Sequence, residues 1–82
     1  MQMKDVISEV EFIDIFADNL RDIMNDARIG QRELAEEAHL TRETINRYLN
    51  KKTMPSLRAL INICYVLNCN LYDILPACNM IE

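Results

Sequence analysis

Glycine occurs once in these 82 residues, proline twice and tryptophan not at all. So little glycine suits a helical chain. Outside the first fifteen residues no window alternates polar and apolar side chains with the period of a strand. Cysteine is sparse and odd in number (Cys64, Cys69 and Cys78), with no CxxC or Cys/His spacing. That pattern excludes a recognisable metal or redox centre and points to reduced thiols, with Cys64 and Cys69 as small core residues. The single histidine, His39, has no nucleophile or carboxylate placed to serve it. No catalytic constellation is present, so neither an enzyme nor a cofactor is expected. Long apolar runs are missing too. The longest uncharged stretch, Ala59 to Tyr72, is fourteen residues with three asparagines, too short and too polar to span a bilayer. The opening Met-Gln-Met-Lys-Asp has no apolar signal core, so the expected location is the cytoplasm. There is no internal repeat, low-complexity run or linker.

Positive charge is also scarce: 9 basic against 13 acidic residues, a formal net charge of −4. Its distribution is uneven. Residues 1–27 sum to −5, residues 28–40 to −1, residues 41–58 to +4 and residues 59–82 to −2. The basic block holds Arg42, Arg47, Lys51, Lys52 and Arg58 against Glu43 alone. Attraction to phosphate is screened beyond roughly 8 Å at physiological salt, so a basic face can act despite an acidic back.

The basic block overlaps the most structured stretch of the sequence, Gln31 to Asn50, QRELAEEAHLTRETINRYLN. It reads as two short amphipathic helices, the first with Leu34, Ala35 and Ala38 on one face and the second with Ile45, Tyr48 and Leu49. So short a junction, His39-Leu40-Thr41, forces a close crossing, and Ala35 and Ala38 leave room for it. Leu40 is placed to plug the gap beneath both helices. Thr41 is suited to cap the second helix. His39 stands where the chain reverses and a positive φ is expected. A steep crossing with a polar, Arg-bearing outer face is the geometry that sets a helix into the DNA major groove.

The rest of the chain reads as further helices. Ser8-Glu9-Val10-Glu11 fits a capping box opening helix one, while residues 3–7 fit an extended arm equally well. Helix one should run to about Ala27 and bury Phe16, Leu20, Ile23 and Met24. Gly30 can cap helix two, with Glu33 in its first turn. Pro55 blocks continuation of helix three and Ser56 caps helix four, which should run to about Leu67 and bury Leu57, Leu60, Ile61, Cys64 and Leu67. Asn68 suits a left-handed stop. Asn70 caps a short helix over Leu71 to Leu75, and Pro76 ends it.

Gln31, Leu34-Ala35, Ala38, Leu40-Thr41, Ile45, Lys52, Pro55-Ser56-Leu57, Leu67 and Leu71 to Leu75, in this order, resemble the phage-repressor/Cro-like (XRE) helix-turn-helix family. The likeness runs from about Phe16 to Leu75. It implies an all-α, compact five-helix, lambda-repressor-like domain that binds double-stranded DNA, usually as a homodimer. It also implies phosphate contacts at Gln31, Thr41, Asn50, Lys51, Lys52 and Thr53. The chain departs from the family where His39 and Lys51 replace glycines. It departs again where Met24 and Leu49 stand in place of an Arg in helix one and a Glu near the end of helix three. Losing one partner alone strands a buried charge at roughly 3–5 kcal/mol, whereas replacing both is often neutral. Met24 is therefore expected to pack on Leu49.

Base edges are within reach of residues on the outer face of the second helix: Arg42, Glu43, Thr44, Asn46 and Arg47. Arg offers a fork to guanine, Asn pairs with adenine, and Glu accepts from cytosine. Glu43 also precedes Arg47 by four residues and serves equally as its ion-pair partner. Arg28 and Arg32 stay unassigned. The domain organisation read here is an extension over residues 1–12, the helix-turn-helix domain over 13–76 and a tail over 77–82. The functional expectation is a small transcriptional regulator, a dimeric repressor on a near-palindromic operator, with no small-molecule ligand. The alternative is an antitoxin-like module whose main partner is another protein. Residues 1–12 with the tail, or helix five with Tyr72, Ile74 and Met80-Ile81, are the two candidate dimer surfaces, because the core offers no obvious spare apolar face.

Overall fold

The computed structural model describes residues 6–76. Its helices are α1 (Glu9–Ala27), α2 (Gln31–Glu37), α3 (Arg42–Leu49), α4 (Leu57–Leu67) and α5 (Leu71–Ile74), with no strand among the described residues. The all-α architecture and the helix order follow the expectation. Ser8 opens α1 with a capping box: its hydroxyl accepts from the Glu11 N–H at 3.1 Å, and the Glu11 carboxylate accepts from the Ser8 N–H at 3.0 Å. The extended arm considered for residues 3–7 falls largely outside the described residues. So do Cys78 and Met80-Ile81.

The first four helices stop in the same way. At each end a residue turns left-handed: Arg28 (φ 57), His39 (φ 58), Lys51 (φ 61) and Asn68 (φ 54). The next N–H then reaches back across six residues. Ile29 donates to the Met24 carbonyl, Leu40 to Ala35, Lys52 to Arg47 and Cys69 to Cys64, all within 2.8–3.1 Å. This is the Schellman stop, which satisfies carbonyls that a helix end leaves without partners. None of the four turning residues is glycine, and the one glycine, Gly30, caps α2 at φ −93 instead.

Side chains from neighbouring helices supply the remaining caps. The Asn19 amide of α1 donates to the Ile74 carbonyl at 3.1 Å, and the Asn62 amide of α4 donates to the Ala38 carbonyl at 3.2 Å. Arg21 Nη2 of α1 donates to the Leu49 carbonyl at 2.9 Å. Three helix C-termini are thereby tied to other helices through their backbone, which fixes relative position more firmly than apolar contact alone.

Phe16, Leu20, Leu34, Ile45, Ile63 and Ile74 are the large side chains wholly out of water. Each contributes roughly 1.5–3 kcal/mol relative to exposure. Phe16 of α1 meets Tyr48 of α3 edge-on, ring centroids 5.6 Å apart. Ala35 and Ala38 are buried in the α2–α3 crossing, and Leu40 is partly buried against the core. Met24 and Leu49 are both buried in the same cluster and line one crevice between α1 and α3, so they lie on the same side of the domain as expected. Burial pushes the Cys64 thiol up to about 12, with the adjacent Cys69 adding to the shift. The pair fills the apolar contact that the Schellman stop of α4 provides.

Two readings of the core are corrected. Leu57 and Ile61 are not buried: Leu57 is 66% and Ile61 38% exposed, and Ala59 and Ile63 take the inward places. Ile23 is only half-buried. The core therefore does have a spare apolar face. Leu57, Ile61 and Tyr65 run at four-residue spacing along the outside of α4. Tyr65 (82% exposed) stands beside Tyr72 of α5 (89% exposed) at an apolar groove of about 550 Å³. No helix among the described residues is long and apolar enough to cross a membrane.

Candidate nucleic-acid interface

The second helix of the pair, α3, begins at Thr41, whose hydroxyl accepts from the Thr44 N–H at 3.0 Å and hydrogen-bonds the Thr44 hydroxyl at 2.8 Å. Ile45, Tyr48 and Leu49 bury the inner face. Burial raises the pKa of Tyr48, and the charge of Arg58 opposes that shift. Arg42, Glu43, Asn46 and Arg47 are exposed on the outer face, with Thr44 half-buried beside them. Arg47 lies 3.4 Å from Glu43, the intrahelical pair the spacing predicts. Exposed pairs of this kind are weak, and either partner can be drawn away by a better one.

A chain of amides joins α2 to α3. Asn46 Nδ2 donates to Gln31 Oε1 at 3.3 Å, and Asn50 Nδ2 donates to Asn46 Oδ1 at 3.0 Å and to the Asn46 carbonyl at 2.9 Å. Gln31, the first residue of α2, is thus brought onto the outer face of α3 across fifteen residues of sequence. The Thr41 hydroxyl is occupied by its capping role.

The stop after α3 differs from the others. At the ends of α1, α2 and α4 the residue after the turn is apolar: Ile29, Leu40 and Cys69. After α3 it is Lys52, whose N–H is bonded to the Arg47 carbonyl at 2.9 Å. Two cations therefore occupy the place where an apolar contact usually closes the motif. No apolar contact closes this stop, and the Arg47 guanidinium turns to Glu43. Lys51 behaves otherwise. Its ammonium is held by the carboxylates of Asp14 and Asp18 on α1, and hydrogen bonding to Asp14 raises its pKa. Thr53 is half-buried in the loop before the buried Pro55.

The structure thus sets Arg42, Glu43, Thr44, Asn46 and Arg47 along α3, joins Gln31 and Asn50 to Asn46, leaves Lys52 exposed in the stop that follows, and turns Lys51 toward α1. Sequence reasoning missed Arg21. It sits one helical turn before Met24, hence on the same face, but its partner is a backbone carbonyl 28 residues away. No side-chain pattern marks a carbonyl. No grouping of His, Cys, Asp and Glu suited to a metal occurs among the described residues.

A family profile described as the Cro/C1-type HTH DNA-binding domain matches residues 19–77. No match is found among curated proteins. Several solved structures share the fold. The restriction-modification controller protein C.AhdI from Aeromonas hydrophila superposes with a TM-score of 0.73 at 18% identity, covering 76% of this chain and 94% of that one. The hypothetical transcription factor NHTF from Neisseria gives 0.76 at 19% identity, covering 94% and 88%. The clp gene regulator ClgR from Corynebacterium glutamicum gives 0.72 at 21% identity, covering 76% of this chain and 66% of its own.

Proposed function

The chain belongs to the Cro/C1-type helix-turn-helix DNA-binding domain family, and from that premise we propose that it is a small cytoplasmic transcriptional regulator, a repressor that occupies its operator as a homodimer. The observation that carries this reading is the outer face of α3. Arg42, Asn46 and Arg47 are exposed there on the one segment with a positive charge sum, and their roots are locked by the buried Ile45, Tyr48 and Leu49. Arg42, Glu43, Thr44, Asn46 and Arg47 read base edges, while Gln31, Thr41, Asn50, Lys51, Lys52 and Thr53 form the backbone-contacting set. The exposed apolar face of α4 and α5 is the seat of the second copy. Two-fold symmetry then sets half-sites about one helical turn, roughly 34 Å, apart, and the bound dimer excludes polymerase by occlusion.

The test is selection of duplexes from a genomic fragment library at two salt concentrations, beside an Arg42→Ala/Arg47→Ala variant. A near-palindromic site should be enriched by the wild type, more weakly at the higher salt. Each good bidentate Arg–base contact contributes roughly 1–3 kcal/mol, so the variant should lose at least about tenfold in affinity for that site. A folded wild type that enriches nothing at either salt favours the rival reading, an antitoxin-like module for a protein partner. The exposed Tyr65 and Tyr72 would then be its contact surface.

A further inference from the structure

The spacing of Cys64 and Cys69 matches no redox motif, yet the fold brings the two residues together. The Schellman stop of α4 bonds the Cys69 N–H to the Cys64 carbonyl at 3.1 Å, with Asn68 left-handed before it at φ 54. Such a stop sets the two flanking side chains against each other. Both are free thiols. Cys64 is buried and Cys69 half-buried, and both line the apolar groove of about 550 Å³ at α4 and α5. No charged residue lines that groove. Burial raises the pKa of both thiols. Hydrogen bonding between them then adds to the rise at Cys64 and opposes it at Cys69, while the Asp73 carboxylate adds a further rise at each. Cys64 is therefore the hydrogen-bond donor, and Cys69 is the sulfur that its neighbour helps to carry a thiolate.

We infer that Cys64 and Cys69 form an oxidation site, a dithiol that a small neutral hydroperoxide converts to a disulfide within one chain. Cys69 is the attacking thiol, because it is the more exposed of the two and Cys64 donates to it. Its sulfur attacks one peroxide oxygen: an S–O bond forms, the O–O bond breaks, and water or an alcohol leaves. Cys64 then attacks the sulfur of the Cys69 sulfenic acid. An S–S bond forms, the S–O bond breaks, and the Cys64 proton leaves with the hydroxide as water. With hydrogen peroxide, two thiols are oxidised and one peroxide is reduced to two waters. The groove selects the reagent and the product. Its uncharged, apolar wall admits a neutral peroxide and disfavours a charged oxidant. A disulfide adds no charge there, whereas an ion held by two thiolates would. Both thiols are largely protonated at neutral pH, so the site reacts slowly and records sustained exposure. On the dimer reading, a second copy seated in the groove covers Cys69, and the monomer is the form that oxidises.

The test uses the full chain with Cys78→Ser, which removes the third thiol. Hydrogen peroxide is applied for hours at a low and a high protein concentration, and the products are read by mass spectrometry. The peptide holding Cys64 and Cys69 should lose two hydrogens, resist alkylation, and regain both thiols with dithiothreitol. Adding Cys64→Ala removes the resolving sulfur and keeps the groove apolar. Cys69 should then accumulate as the sulfenic acid, captured by dimedone as an adduct that the two-thiol protein does not build up. Oxidation that joins two chains overturns the site, as does Cys69 sulfinic acid beside a Cys64 that still alkylates. A folded chain that keeps both thiols while the urea-unfolded chain loses them overturns it too. Slower oxidation at the high concentration, with the difference lost in Tyr65→Glu/Tyr72→Glu, supports both the site and its shielding by a second copy. Equal rates with the disulfide formed uphold the site and remove only the dimer surface.

Discussion

At His39 the backbone turns left-handed with φ 58, in a position that is exposed and free of side-chain hydrogen bonds among the described residues. An L-residue other than glycine meets roughly 1–2 kcal/mol of Cβ–carbonyl repulsion in this conformation. Glycine removes that repulsion but returns roughly 0.5–1 kcal/mol of unfolded-chain entropy. His39→Gly should therefore stabilise the domain by about 0.5–1 kcal/mol, read as a higher urea midpoint at unchanged slope. Lys51, at φ 61, is a different case, because its side chain holds Asp14 and Asp18 and glycine would discard that contact. The same departure from glycine thus has a free remedy at one site and a coupled one at the other.

At the scale of elements, α1 does more than supply core. Its buried side presents Phe16, Ala17, Leu20 and Met24, while polar groups along it reach the ends of other helices. Asn19 ties α5, Arg21 ties the end of α3, and Asp14 with Asp18 holds the residue that follows α3. In the proposed complex these carboxylates would compete with a DNA phosphate for the Lys51 ammonium. Asp14→Asn/Asp18→Asn should free that cation, raising duplex affinity and steepening the salt dependence by about one phosphate equivalent. Fluorescence anisotropy across a salt series measures both. A wild-type slope would assign Lys51 to the α1 contact alone.

At the scale of the whole molecule, charge and apolar surface are segregated. Acidic groups crowd residues 1–27, basic groups crowd 41–58, and the outer face of α4 with α5 carries Ile61, Tyr65 and Tyr72 without compensating charge. A net charge of −4 disfavours self-association except through a neutral patch, and this is where such a patch lies. Tyr65→Glu/Tyr72→Glu alters two side chains that are already exposed, so the fold should persist. Sedimentation equilibrium should move from dimer to monomer, and operator binding should weaken with it. A wild type that sediments as a monomer at every concentration, with or without operator, would sink this dimer surface.

Much of the fold was legible because helix boundaries are local. Ser8, Thr41, Ser56 and Asn70 cap within three residues of themselves, and the left-handed stops at His39 and Asn68 answer to their own backbone. The outer face of α3 was legible for the same reason, since 3.6-residue periodicity separates Ile45, Tyr48 and Leu49 from Arg42, Asn46 and Arg47. The sequence alone therefore determined the helices, their order and the exposed polar face of α3 on which the proposed DNA reading rests. Tertiary structure alone decided which apolar residues of α4 face inward, because Leu57, Ile61 and Tyr65 form as regular a stripe as Leu60, Ile63, Cys64 and Leu67. The packing of α1, α2 and α5 against α4 selects between them. It alone also decided that Lys51 faces two aspartates and that Arg21 meets Leu49, contacts between side chains and groups distant in sequence whose partners no local pattern specifies.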